Sequence, residues 1–142
     1  MIVLIACGVD IVRVDRLDSW ASFSDERLLH VFTVAEIAVI RGENGWSSQR
    51  AAAYFAVKEA FYKALSNALV GTGLLKEKIF FGHVCPLIQI RKNEWGIPEL
   101  EVDWQGISQR AGFPCVWQVH CSYAHENKFA IAYVNLTNSR TS

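Results

Sequence analysis

FAVKEAFYKAL, residues 55–65, decides the reading of the chain. At about 100° per residue, Ala53, Val57, Ala60, Phe61, Ala64 and Ala68 share one broad apolar face. They mark a long helix, expected from Ser48 to Leu69, ending before Gly71-Thr72-Gly73. Glu59 and Lys63, four residues apart, stand together on the opposite side with Phe55 and Ser66 near them, while Lys58 points elsewhere. Spacing alone leaves two readings open. One is an exposed ion pair that stabilises the helix by about 0.2–0.5 kcal/mol. The other is a partly dry side, flanked by Phe55 and Tyr62, where a carboxylate needs a cation, a metal or hydrogen-bond donors.

Asp10 raises the same question. It follows the apolar run 2–9, expected to be a strand, within GVDIVRVDR. A turn or helix-capping aspartate is one reading. If the long helix packs beside that strand, Asp10 and Glu59 converge instead. Two carboxylates with room for water and a phosphate oxygen suit Mg²⁺, which takes hard oxygen ligands and keeps several waters. Lys63, one turn from Glu59, would then neutralise a phosphate oxygen, and the glycines 71 and 73 would let backbone approach closely.

The rest of the chain fills in around these elements. A helix is expected over 14–21, a short one capped by Ser24, and a third opened by Thr33, whose spacing to Glu36 fits a capping box. RGENGWSS, 41–48, reads as a loop in which Trp46 marks an interface or a ligand edge. After the long helix the period changes to that of strands at 79–84, 87–91 and 100–104, with GISQRAG as a short helix between sheet segments. Residues 116–122 and 128–135 form a hairpin, and the tail TNSRTS is expected to fray. Helices first and strands last give an α+β class with a mostly antiparallel sheet.

Composition sets the outer limits. The chain has 142 residues, 51% of them hydrophobic, which suits a single domain over 1–142 with a sizeable core. A formal net charge of zero and the lack of a basic–aromatic strand motif disfavour nucleic acid as a partner. No apolar run is long enough to span a bilayer, and the start lacks a basic signal-type region, so no membrane is expected and the cytoplasm is the expected location. The four cysteines, Cys7, Cys85, Cys115 and Cys121, form no CxxC pair and read as reduced, buried thiols. Together with His120 and His125 they show no standard zinc spacing.

GVDIVRVDRL (8–17), FTVAE (32–36), FAVKEAFYKAL followed by GTG, and VHCSYAHENKFAIAYV (119–134) together resemble holo-[acyl-carrier-protein] synthase, the short, single-unit 4′-phosphopantetheinyl transferase family. The resemblance implies that family's fold, with one long central helix on the sheet. It implies transfer of the 4′-phosphopantetheine arm from coenzyme A to a serine of apo acyl carrier protein. The other product is adenosine 3′,5′-bisphosphate, and the activity serves fatty acid biosynthesis. In its terms Asp10 and Glu59 hold Mg²⁺ (or Mn²⁺), and Lys63 contacts the phosphate under attack. Lys58 reaches other phosphates, and Gly71, Thr72 and Gly73 form the glycine turn beside the nucleotide. Ser122 and His125 lie near the adenosine 3′-phosphate and adenine. Arg16, with Arg13 and Arg27, belongs to a basic surface for the acidic carrier protein. Homotrimers with active sites between subunits are also implied.

Three departures stand out. Tyr54 occupies a position where the family often has arginine, leaving Arg50, one turn earlier, to reach the same anion. Ala124 replaces a second serine in the hairpin segment. Residues 66–70, SNALV, are added before GTG and extend the helix by about 7 Å at 1.5 Å per residue. Two other readings remain on the sequence: a non-catalytic α+β binding module, and a magnesium enzyme acting on another nucleotide.

Overall fold

The structure, a computed structural model, describes residues 1–138. Its elements are β1 (Leu4–Arg13), a 3₁₀ helix (Val14–Ser22), α1 (Asp25–Leu28), α2 (Val34–Arg41) and α3 (Ser48–Gly71). There follow α4 (Phe81–Val84), a 3₁₀ turn (Cys85–Leu87), β2 (Ile88–Lys92), β3 (Pro98–Val102), α5 (Trp104–Ala111), β4 (Gln118–His125) and β5 (Phe129–Thr137). β1, β5 and β4 form a three-stranded antiparallel sheet in that order, and β2 pairs with β3 as a separate antiparallel hairpin. This is the expected α+β arrangement, a long helix on antiparallel strands.

α3 forms because alanine dominates it, with Ser47 capping its start by accepting from the Arg50 backbone N–H. Its alanines also let the sheet come close. Ala53, Ala56, Ala60 and Ala64 are at most 1% exposed. β1 lies across them with Gly8 facing inward. A Cβ at Gly8 would stand 2.0 Å from the Ala60 carbonyl oxygen and 2.9 Å from the Ala64 nitrogen. Strand backbone therefore rests on helix backbone, and only glycine fits there.

A buried ion pair joins three other elements. Thr33 and Glu36 form the expected capping box at the start of α2. The Glu36 carboxylate then accepts from the Lys58 ammonium of α3 at 2.8 Å and from the Ile90 backbone N–H of β2 at 2.7 Å. Lys58 also donates to the Cys85 and Ile88 carbonyls, both at 3.2 Å. Both side chains are 0% exposed. Each ammonium hydrogen has an acceptor, so the buried charge is fully partnered.

Several expected boundaries move. β1 runs to Arg13, so Asp10 sits inside the strand, paired opposite Ala132, and does not end it. Residues 79–84 are not a strand. Phe81 instead packs against Phe55 and Tyr62, and the Tyr62 hydroxyl donates to the Ile79 carbonyl at 2.8 Å. Side-chain anchoring on α3 thus takes the place of a strand ladder. The Trp46 indole N–H donates to the Leu17 carbonyl at 3.0 Å, which ties the loop to the 3₁₀ helix and leaves the ring half-buried. Of the tail expected to fray, Thr137 is in β5 and Asn138 bonds to Val3 in both directions; 139–142 lie outside the described residues. All four thiols are free; Cys85 and Cys115 are buried as expected, but Cys7 is exposed on the outer face of β1. Burial pushes the Cys85 thiol up to about 12, so it stays protonated and inert. Among the described residues no helix is long and apolar enough to cross a membrane.

Two substitutions test this packing. Gly8→Ala forces β1 off α3 and is expected to lower stability by at least about 1–3 kcal/mol in urea denaturation. Lys58→Met strands the Glu36 carboxylate in the core and is expected to lower it by about 3–5 kcal/mol in the same assay.

Candidate active site

Asp10, Glu59 and Lys63 meet because β1 crosses α3 at Gly8. Two residues beyond that crossing, Asp10 again points toward α3, since side chains on one face of a strand recur with period two. The Lys63 ammonium donates to Asp10 Oδ1 at 2.8 Å and to the Val9 carbonyl at 3.0 Å. Glu59 lies one turn earlier on the same side of α3. Its carboxyl is raised above the ordinary glutamate value, first by burial and then by the negative charge of Asp10, with Lys63 and then Arg16 pulling the other way. The two carboxylates thus share one patch and repel each other.

That donor set fits a hard divalent cation. Oxygen ligands, two mutually repelling carboxylates and a neighbouring ammonium leave most coordination positions to water and substrate, as Mg²⁺ prefers. Among the described residues no group of three or more His, Cys, Asp or Glu gathers into a protein-only metal cage.

Around this centre the other expected residues divide. The Arg16 guanidinium lies 5.7 Å from the centre of the Phe55 ring, on the Glu59 side. Arg13 pairs with the neighbouring Asp15, and Arg27 stacks 3.5 Å over the Phe23 ring. In the opposite direction a groove of about 710 Å³ runs from Lys63 along the last turns of α3. It is walled by Tyr62, Ser66, Asn67, Val70, Leu75 and Ile79, among others. The added residues 66–70 are helical and form much of that wall. Gly71 ends α3, Thr72 caps it, and Gly73 takes a φ of +71°, so the glycine turn lies just past the groove's lining.

Arg50 and His125 lie in a different cleft, of about 460 Å³, with Tyr54, Tyr123, Arg91 and Lys92. Burial foremost, with the neighbouring Tyr123, pushes the Tyr54 hydroxyl up to about 12, so it stays neutral and brings no charge to the cleft. Ser122 sits on the exposed outer face of β4 opposite Tyr133, while strand alternation turns His125 the other way with Tyr123. A single chain therefore does not bring Ser122 and His125 together. Lys58 requires a correction: it is wholly buried on Glu36 and reaches no phosphate. Sequence reading missed Arg91, Lys92 and Tyr123, which only the placement of the β2–β3 hairpin brings beside Arg50. It also missed Glu36 as the partner of Lys58; a lysine inside an otherwise apolar helix and a glutamate in a capping box were the available signals.

Comparisons with known proteins place the whole chain. A family model described as ACPS, 4′-phosphopantetheinyl transferase superfamily, matches residues 6–134. The holo-[acyl-carrier-protein] synthase of Treponema pallidum is 35% identical over 131 residues, 92% of this chain and 94% of its own length. The crystal structure of a holo-(acyl-carrier-protein) synthase from Bacillus anthracis in complex with CoA (3′,5′-ADP) is 28% identical, covers 96% of this chain and 98% of its own, and superposes with a TM-score of 0.66. The Chronobacterium ammoniagenes ACPS–CoA complex, at 23% identity and a TM-score of 0.73 over 99% of both chains, shares the fold. Matched by that family model over residues 6–134 and by relatives 33–35% identical over most of its length, the chain belongs to the holo-[acyl-carrier-protein] synthase family of the 4′-phosphopantetheinyl transferase superfamily.

Proposed function

We propose that the chain transfers the 4′-phosphopantetheine arm of coenzyme A to a serine of apo acyl carrier protein, with Mg²⁺ as cofactor, in support of fatty acid biosynthesis. The observation that carries this reading is the Lys63–Asp10 bridge with the raised Glu59 carboxyl one turn away. Asp10 and Glu59 would hold the metal. When bound, Mg²⁺ supplies charge neutralisation on the diphosphate and stabilises the leaving oxygen.

The chain's own residues do the rest. The Lys63 ammonium, held by Asp10 and the Val9 carbonyl, is aimed where a phosphate oxygen would sit. The serine Oγ attacks the phosphorus that carries the pantetheine arm. An Oγ–P bond forms, the bridging P–O bond breaks, and its electron pair leaves on the 5′-phosphate of adenosine 3′,5′-bisphosphate. The serine proton needs a base. Glu59 and a water in the same patch are the two candidates, and a carboxylate that holds a metal is a weaker base than a free one. Arg16 beside Phe55, with Arg13 and Arg27, lines the side from which an acidic partner helix would present its serine. The Arg13–Asp15 pair is exposed and worth at most about 1 kcal/mol, so a partner carboxylate displaces it at little cost.

A homotrimer accounts for two further observations. The outer face of the β1–β5–β4 sheet carries Val9, Ile11, Phe129, Ile131 and Tyr133, each at least 42% exposed. Such a contiguous apolar face on a soluble chain marks an interface. The cationic cleft at Arg50 and His125 is also separate from the carboxylate patch within one chain. Packing copies through the sheet face would let one copy's cleft complete its neighbour's site.

Lys63→Ala is expected to lower kcat about 10²–10³-fold with little change in fold, read by mass spectrometry of carrier protein incubated with coenzyme A and Mg²⁺. No mass gain with the unaltered chain on several carrier proteins would end the proposal. The pH dependence of the fold has a definite sign. The folded chain holds the Glu59 proton more tightly than the unfolded chain does. Glu59 therefore favours folding in acid, and that contribution is lost as pH rises through its raised value. Mg²⁺ is expected to raise the melting temperature more at about pH 8 than at about pH 5, and Glu59→Gln to remove that difference. Ile131→Asp is expected to turn the trimer into monomers in light scattering and to abolish transfer.

A further inference from the structure

We infer that the tip of one copy's β2–β3 hairpin seats in the groove beside Lys63 of its neighbour, with Trp95 as the anchor. The inference rests on the transfer and the assembly proposed above. The turn is built to hold that side chain out. Asn93 Oδ1 accepts from the backbone N–H groups of Trp95 and Ile97, at 2.9 and 3.0 Å, and Asn93 Nδ2 donates to Glu99 at 3.0 Å. The Gly96 N–H donates to the Asn93 carbonyl, and Gly96 takes the positive φ, +73°, that the turn needs. On this fixed loop Trp95 is 78% exposed and Ile97 55%. A tryptophan on an ordered backbone, uncovered by its own chain, loses little freedom on binding and makes a strong interface anchor.

The groove is the matching socket. Its volume of about 710 Å³ is bounded by the apolar side chains of Val70, Leu75 and Ile79, and Lys78 also lines it. Charge agrees with shape. Glu94, next to Trp95 on the tip, is exposed and has no ion-pair partner among the described residues, so it complements Lys78.

Reach agrees as well. The cleft that is to complete a neighbour's site carries Lys92, the last residue of β2. From Lys92 to Trp95 the chain extends at most about 11 Å. From Lys63 to Val70 the helix α3 rises about 10 Å. A Lys92 that meets phosphates held at the neighbour's Lys63 therefore puts Trp95 within reach of the turns of α3 up to Val70. Tip and groove are different surfaces, and such a heterologous contact closes into a ring, as a trimer requires. Each site is then made of the carboxylates, Lys63 and groove of one copy and the cleft and hairpin tip of the next.

Trp95→Ala in the full-length chain is expected to weaken assembly at least about tenfold in concentration-dependent light scattering, and to lower kcat/KM for coenzyme A about tenfold. The deciding measurement mixes Trp95→Ala with Lys63→Ala at concentrations where light scattering shows trimers. In randomly mixed rings about one site in four joins an intact Lys63 groove to an intact tip, so transfer is expected to reach about a quarter of the unaltered rate. Simple averaging of the two impaired variants would give only about a twentieth. A mixture no better than that average would overturn the inference, as would Trp95→Ala with unchanged assembly and unchanged kcat/KM. Either result leaves transfer by the unaltered chain in place, so the proposed function would stand. An unaltered chain that transfers nothing would remove that function, and light scattering of Trp95→Ala would still decide whether the tip docks.

Discussion

The site depends on one backbone contact. Gly8 of β1 rests on the carbonyl of Ala60 and the nitrogen of Ala64, at a separation that leaves no room for a side chain. Because strand and helix touch there, every residue near the crossing has a fixed distance to its counterpart. Asp10, two residues along the strand, falls beside Lys63, one turn along the helix from Glu59. Alanine on α3 is thus more than a helix former. A leucine at 60 or 64 would hold the strand away, and the two carboxylates would no longer share a patch.

A second constraint works on the other side of the same helix. Lys58 and Glu59 are adjacent in sequence, and their side chains point about 100° apart. Lys58 enters the core and ties α3 to α2 and to β2 through Glu36, Cys85, Ile88 and Ile90. Glu59 faces the crossing. The ion pair fixes the rotation of α3 about its axis, so the burial of one charge sets where the next one points. It also holds the β2–β3 hairpin in place, and with it Arg91 and Lys92 beside Arg50.

The sequence carried much of this in readable form. The helix expected over 48–69 was plain from its alanine period and runs on to Gly71, and the hairpin expected from 116–122 and 128–135 forms over Gln118–His125 and Phe129–Thr137. Spacing left Asp10, Glu59 and Lys63 open between a surface pair and a phosphate site, and the resemblance carried by their surrounding segments named their roles. The misreadings have physical causes. Residues 79–84 have strand-like composition, but their aromatic side chains find better packing on Phe55 and Tyr62 than a strand partner could offer. Lys58 took its phosphate role from the resemblance alone, and its partner lay 22 positions away in a capping box. The splitting of Ser122 from His125 follows from strand parity, which their shared segment in the sequence conceals.

The pairing of β1 with β5 also bears on how the protein is made. α3 is complete long before β5 has been synthesised, yet β1 has no other partner in its sheet than that last strand. On the ribosome β1 can settle on the alanines of α3 early, but its hydrogen-bonding edge stays open until β5 has emerged. Contacts between the most distant parts of a chain form slowly, and an uncovered strand edge invites aggregation while it waits. Closure of the sheet is therefore a late step, while the crossing that brings Asp10 to Lys63 needs only β1 and α3.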